Sequence, residues 1–189
     1  GGDQTLAVLA GFAGFASTPV VTRGPLGVPT VSAVARRDDV AVVELASACG
    51  IALLGRDRSA PLTASSLGLG DAVVAALDSE PGELVICLGG SASTDGGSGL
   101  LVALGAELRG AAGELVRPCG ATLRHVTRVD LSGLDPRLAR TRITAATDVR
   151  SPLLGPTGAA FAFGPQKGAT PAQARALERG LASWAAVLA

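Results

Sequence analysis

The stretch Leu84-Val-Ile-Cys-Leu88, entered from Glu83 and running straight into Gly89-Gly90, limits the fold more than any other part of the sequence. A short, near-continuous apolar run that ends in glycines suits a strand buried on both faces of a sheet. Around it, short β-branched runs alternate with Ala- and Leu-rich stretches. Strands are predicted over 19–22, 28–35, 40–44, 83–88, 126–131 and 142–147, and helices over 5–15, 45–49, 71–77, 96–104 and 171–188. Asp3 is the expected cap of the first helix, Gly50 the stop of the second, and Pro171 opens the last, where a missing N–H costs nothing. Strands alternating with helices give an α/β class. The strands between 19 and 43 follow one another directly, so the sheet is predicted to be mixed.

Composition narrows the function. The chain has 189 residues, 48% of them hydrophobic, and 16 acidic residues balance 16 basic ones. So much apolar surface at zero net charge excludes disorder, and the charge balance gives no electrostatic basis for a nucleic-acid or membrane partner. The longest uncharged stretch, 4–22, has an apolar part too short to span a bilayer and interrupted by Gly11 and Gly14. No Arg or Lys precedes it, so a signal peptide is not expected either. Cys49, Cys87 and Cys119 are widely spaced among small or apolar neighbours. They read as buried free thiols in a reducing cytoplasm, and no zinc or disulfide pattern is present. The sequence contains no Met and opens on Gly1-Gly2, which fits a piece of a longer chain.

Three stretches could carry chemistry. In Leu88-Gly-Gly-Ser-Ala-Ser-Thr-Asp-Gly-Gly-Ser-Gly99 a buried strand passes through glycines, hydroxyls and one carboxylate into a helix. That order can present backbone N–H groups and a helix amino terminus to an anion, with Ser91, Ser93 and Thr94 as further donors. It can equally be a tight packing turn. A Walker A ending and a G-x-S-x-G elbow are both missing. Asp148 closes an apolar strand, where it can hold Mg²⁺ or accept a proton, or cap the turn that follows. Lys167 lies in Phe161-Ala-Phe-Gly-Pro-Gln-Lys-Gly168 and is the only lysine among the 16 basic residues. It can serve as a point charge for phosphate or carboxylate, or as a solvated surface charge. His125 has no Ser, Cys or metal-ligand pattern nearby and reads as structural.

Seven segments in order resemble the glycerate kinase family. Gly1-Gly-Asp-Gln-Thr5 is similar to G-G-E-G-T, Thr22-Arg-Gly-Pro-Leu-Gly27 to T-G-P-L-G, and Glu44-Leu-Ala-Ser-Ala-Cys-Gly-Ile-Ala-Leu53 to E-M-A-x-A-x-G-L-x-L. Leu88 to Gly99 resembles G-G-S-A-T-N-D-G-G-x-G, and Asp130 to Leu138 resembles a further family block. Asp148 to Gly158 resembles D-V-x-N-P-L-x-G-x-x-G, and Phe163 to Gly168 matches F-G-P-Q-K-G. Ser93-Thr94 replaces Thr-Asn, Ser151 replaces Asn, and Leu67 and Leu69 stand for the aromatic and second hydroxyl of T-Y-G-T-G-E. The family's opening D-S-x-K-G segment and closing G-E-G are absent, so the chain resembles the middle half of such a kinase.

The resemblance implies a two-domain α/β kinase that transfers the ATP γ-phosphoryl group to the 2-hydroxyl of D-glycerate. Residues 1–20 would end a discontinuous Rossmann-like domain, and 21–189 would be the inserted mixed-sheet domain, incomplete at its C-terminus. The implied ligands are glycerate, ATP and Mg²⁺. Gly89, Gly90, Ser91, Thr94, Gly96 and Gly97 would hold an anion. Asp95 is the first candidate for general base or Mg²⁺ ligand, and Asp148 the second. Lys167 would balance ligand charge, with Glu44 as a weaker addition. The segment alone is expected to lack turnover. The alternative is a non-catalytic anion- or partner-binding module built on the same segment.

Overall fold

A computed structural model describes residues 4–55 and 59–189. Asp3, the expected helix cap, lies outside the described residues. The elements are α1 (Thr5–Phe12), β1 (Ala16–Arg23), β2 (Pro29–Arg37), β3 (Val40–Glu44), α2 (Leu45–Cys49), α3 (Leu67–Leu77), β4 (Glu83–Cys87), α4 (Ser98–Ala103), β5 (Glu107–Arg109), β6 (Arg128–Asp130), β7 (Arg142–Ala146), α5 (Ala159–Phe163) and α6 (Pro171–Leu188). The main sheet has the order β1-β2-β3-β4-β7, and β5 pairs with β6 separately. β1, β2 and β3 form an antiparallel meander, while β3, β4 and β7 run parallel. The sheet is therefore mixed, as the sequence predicts.

β4 lies between β3 and β7, and that position explains its apolar run. Leu84 and Ile86 pack with Val34, Ala41 and Val43 beneath α2 and α3, in a core with Leu69, Val73 and Leu77. Cys87 turns to the other face and meets Ala35, Val42 and Leu6 of α1. A strand covered on both sides has no solvent-facing positions to fill with polar residues.

Several boundaries differ from those predicted, each for a local reason. α1 stops at Phe12 because Gly14 takes a positive φ of 67°. β1 begins at Ala16, three residues early, in an exposed stretch whose polar residues hide it from a hydrophobic pattern. Pro19 is tolerated there because β1 is an edge strand. α4 is shorter than predicted because Gly96 and Gly97 both adopt positive φ before it. α5 and β5 are too short to show a period.

The largest difference is at α3, which starts at Leu67 rather than Asp71. Gly68 and Gly70 lower its helix propensity, but the packing requires them. A Cβ on Gly68 would lie 1.9 Å from the Arg23 carbonyl oxygen, and one on Gly70 would lie 2.3 Å from Ala103 Cβ in α4. These two glycines let α3 sit directly against β1 and α4.

α6 supports the structure from a second core, where Leu177, Leu181 and Trp184 pack with Leu108, Leu123 and Val126. Thr170 and Gln173 form a reciprocal capping box at its start. Trp184 Nε1 donates to the Gly96 carbonyl oxygen at 2.9 Å, so α6 holds the glycine-rich loop from one side.

Gly70→Ala gives a direct test of this packing. Propensity alone would make the alanine helix about 1 kcal/mol more stable. Contact with Ala103 and the Leu100 carbonyl should instead lower stability by about 1–3 kcal/mol. Urea unfolding should show a lower midpoint with an unchanged slope; a raised midpoint would refute the close contact of α3 with α4.

Candidate active site

The parallel strands end level with one another, Glu44 opposite Cys87 and Cys87 opposite Ala146. Loops leaving the carboxyl ends of parallel strands are where α/β proteins bind ligands. Here they carry Leu88 to Ser91 after β4 and Thr147-Asp148 after β7. Between them opens a cleft of about 260 Å³, lined by Gly89, Gly90, Ser91, Asp148, Gln166 and Lys167. A neighbouring cleft of about 350 Å³ is lined by Thr94, Gly96, Gly97, Leu153 and again by Ser91 and Lys167. Glu44 lines a third hollow, which reaches Gly90. The structure thus gathers the predicted residues at one end of the sheet, with Lys167 at the junction of the two larger clefts.

The amino terminus of α4 differs from its expected role. The Ser98 amide donates to the Asp95 carbonyl at 3.0 Å, and Leu101 donates to Gly97 at 3.1 Å. The Gly99 amide donates to Asp95 Oδ2 at 3.3 Å, and Leu100 donates to Ser66 Oγ at 3.0 Å. The amides of this six-residue helix's first turn are therefore engaged within the chain. Gly97 N also turns to Asp95, at 3.4 Å. The amides from Gly97 to Leu101 at the start of α4 thus already have partners within the chain. In contrast, among the described residues no hydrogen bond takes the amides of Gly89, Gly90 or Ser91.

Asp95 explains that capping. Only 2% exposed, it accepts from Ser66 N at 2.7 Å, Ser66 Oγ at 2.8 Å and Ser93 Oγ at 2.9 Å, besides the two glycine amides. Both oxygens are hydrogen-bonded, which uses most of a carboxylate's acceptor capacity. Asp95 also lines the 350 Å³ cleft beside Thr94 and Lys167. Asp148, in contrast, is exposed.

Lys167 closes the short 3₁₀ turn Pro165–Lys167 and is only 9% exposed. Its Nζ donates to the Ser93 carbonyl oxygen and lies 3.5 Å from Thr94 Oγ1. Burial pushes its amine down to about 8, with Asp95 opposing that shift. The reading of Lys167 as a solvated surface charge is thereby excluded. Glu44 is also buried, 5% exposed, and its Oε1 accepts from the Thr5 amide at 2.7 Å, fixing the start of α1. Cys49, Cys87 and Cys119 are all buried free thiols. His125 takes a hydrogen bond from Arg124 Nε at 3.0 Å and lines neither cleft.

Sequence reasoning missed Ser65 and Ser66, which meet Asp95 from about thirty residues away. Their signal was a serine pair just before a helix, hidden because that helix was predicted to begin at Asp71. Phe163 and Gln166, part of the F-G-P-Q-K-G match but given no role there, line the clefts as well.

The sequence profile of the glycerate kinase family matches residues 1–189. The chain belongs to the glycerate kinase family. It is 40% identical to a glycerate kinase of Bacillus subtilis (strain 168) over 172 residues, which cover 90% of this chain and 45% of that protein. It is 37% identical to a glycerate 2-kinase of Escherichia coli (strain K12), over all of this chain and 50% of the relative. A crystal structure described as glycerate kinase 2 from Salmonella typhimurium LT2 superposes with a TM-score of 0.94 at 36% identity, covering 99% of this chain and 50% of that one. The chain spans about half the length of the curated relatives it matches. No helix among the described residues of this glycerate kinase family chain is long and apolar enough to cross a membrane.

Burial of Lys167 has a consequence for stability. The unfolded chain holds its lysine proton up to the ordinary value of 10.5, whereas the folded chain gives it up near 8. The cost of burying the charge is fully present below pH 8, and stability from this group rises between pH 8 and 10.5. In Lys167→Met that contribution should vanish. Urea midpoints at pH 7 and pH 9.5 for both proteins test it: an identical pH trend would contradict the buried amine.

Proposed function

We propose that this chain contributes the glycerate- and phosphate-facing half of an ATP-dependent D-glycerate 2-kinase. The observation that carries the reading is the cleft where the unengaged amides of Gly89, Gly90 and Ser91, the buried ammonium of Lys167 and the exposed carboxylate of Asp148 converge. Phosphoryl transfer needs positioning and charge neutralisation more than covalent help from the protein. Backbone amides and an ammonium suit the carboxylate of glycerate or a phosphate of ATP.

In the proposed reaction the glycerate 2-hydroxyl oxygen bonds to the γ-phosphorus as the bond to ADP breaks. Asp148 accepts the hydroxyl proton, and the products are 2-phosphoglycerate and ADP. Asp148 also fits Mg²⁺, which is commonly held by one or two carboxylates together with substrate phosphates. Asp95 is engaged elsewhere. When bound, Mg²⁺ would neutralise charge on the phosphate oxygens. Lys167 opposes charge on the same anion, and Thr94, beside its ammonium, orients it. Glu44 supports the site through α1.

In the longer protein we propose that the first residues close a discontinuous domain and the rest forms the inserted one, with the division ahead of β1 rather than at the expected 20/21, because Ala16–Arg23 pairs with β2 along its whole length. Free buried thiols and small anionic substrates support a cytoplasmic setting.

The test is ATP-dependent phosphorylation of D-glycerate by the full-length protein. Asp148→Asn should lower kcat by about 10²–10⁴ with its melting temperature retained. Lys167→Arg, planar and bulkier, should lower kcat/KM at least about tenfold. Tight anion binding without any phosphorylation by the wild type would favour the binding-module alternative.

A further inference from the structure

We propose that Ser66 is a positioning residue for this site: through Asp95 and Ser93 it holds the Lys167 ammonium at the junction of the two clefts. The inference rests on the kinase reading for its kinetic consequence, but the geometry stands without it.

Ser66 precedes α3 and is only 3% exposed. Its amide and hydroxyl both donate to Asp95 Oδ2, at 2.7 and 2.8 Å, and the same hydroxyl accepts from the Leu100 amide at 3.0 Å. One serine thus joins the starts of α3 and α4 to a buried carboxylate. On its other oxygen Asp95 accepts from Ser93 Oγ at 2.9 Å. The Ser93 carbonyl then accepts from both Lys167 Nζ and Ser91 Oγ, the latter at 3.0 Å. The series Ser66, Asp95, Ser93, Lys167 is buried at every member.

A second observation comes from α4. A Cβ on Gly99 would lie 2.4 Å from Ser65 Oγ and 2.5 Å from the Leu67 amide nitrogen. Glycine at 99 lets the first turn of α4 approach the serine pair closely enough for Leu100 to reach Ser66. Both sides of the junction are therefore shaped for this contact. Asp95 is the charged group that acts on Lys167, and it is the one that Ser66 holds.

Loss of the hydroxyl leaves the Leu100 amide without its acceptor and removes a donor from a buried carboxylate. The Ser93 segment is then free to shift, and the ammonium with it. A misplacement of about 1 Å at a reacting centre can cost roughly a hundredfold in rate.

The test uses the full-length protein with Ser66→Ala and the hydroxyl-retaining Ser66→Thr. Lys167 is observed through its side-chain ¹⁵Nζ and ¹³Cε resonances at pH 6, where it is protonated, and is assigned by comparison with Lys167→Arg. Ser66→Ala should move the Lys167 resonances and lower kcat for glycerate phosphorylation at least about tenfold. Ser66→Thr should restore the resonances and most of kcat. If Ser66→Ala does not fold, Ser66→Cys, which keeps only a weak donor, is read in its place. Unmoved Lys167 resonances in the folded variant would reduce Ser66 to a helix cap and overturn the proposal. Absence of wild-type glycerate phosphorylation would sink the kinase reading alone, since the resonances decide Ser66 independently.

Discussion

Asp95 carries a negative charge into a position that is 2% exposed, and the geometry at this end of the sheet follows from how that charge is satisfied. An uncompensated buried carboxylate is costly, whereas one surrounded by N–H and O–H donors is tolerated. Ser66, Ser93, Gly97 and Gly99 supply those donors from two segments distant in sequence. Hydrogen bonds to a charged group are each worth about 1.5–3 kcal/mol, more than neutral ones. Satisfying Asp95 therefore fixes the starts of α3 and α4 relative to one another. The glycines at 68, 70 and 99 complete the arrangement by removing side chains that would block the approach.

Capping from within decides where a ligand can bind. A helix amino terminus attracts anions because its first amides lack partners, and in α4 they have them. Amides without a partner among the described residues lie one loop back, at Gly89, Gly90 and Ser91, where β4 emerges from the sheet, and it is there that we propose the anion binds. Gly90 has a positive φ of 73°, a conformation that glycine adopts at no steric cost and that helps turn successive amides outward. Lys167 approaches the same opening from the far side, tied to Ser93. Its buried amine, depressed to about 8, is one that a bound anion would restore toward protonation.

Much of this was legible in the sequence. The apolar run of β4, the mixed sheet and the helix over 171–188 follow from period and composition. Lys167, the chain's only lysine, lines both clefts at the carboxyl end of the parallel strands. The position of Asp95 was legible too, but not its hydrogen bonds, which come from donors at residues 65 and 66 that only tertiary structure brings near. α3 illustrates the same limit, since its two glycines oppose helix locally and are explained by contacts with Arg23 and Ala103. Glu44 was read as a possible ligand from its strand-end position. Its bond to the Thr5 amide spans 39 residues and leaves no local mark.

The central claim is that the anion belongs to the β4 loop and Lys167 while Asp95 keeps α4 closed. A crystal structure of the full-length protein with D-glycerate and a non-hydrolysable ATP analogue tests it most directly. The account predicts ligand carboxylate or phosphate oxygens within hydrogen-bond distance of at least two amides among Gly89, Gly90 and Ser91, with Asp95 still bonded to Ser66. Ligand oxygens on the amides of Gly99 and Leu100, with Asp95 swung away from Ser66, would contradict it.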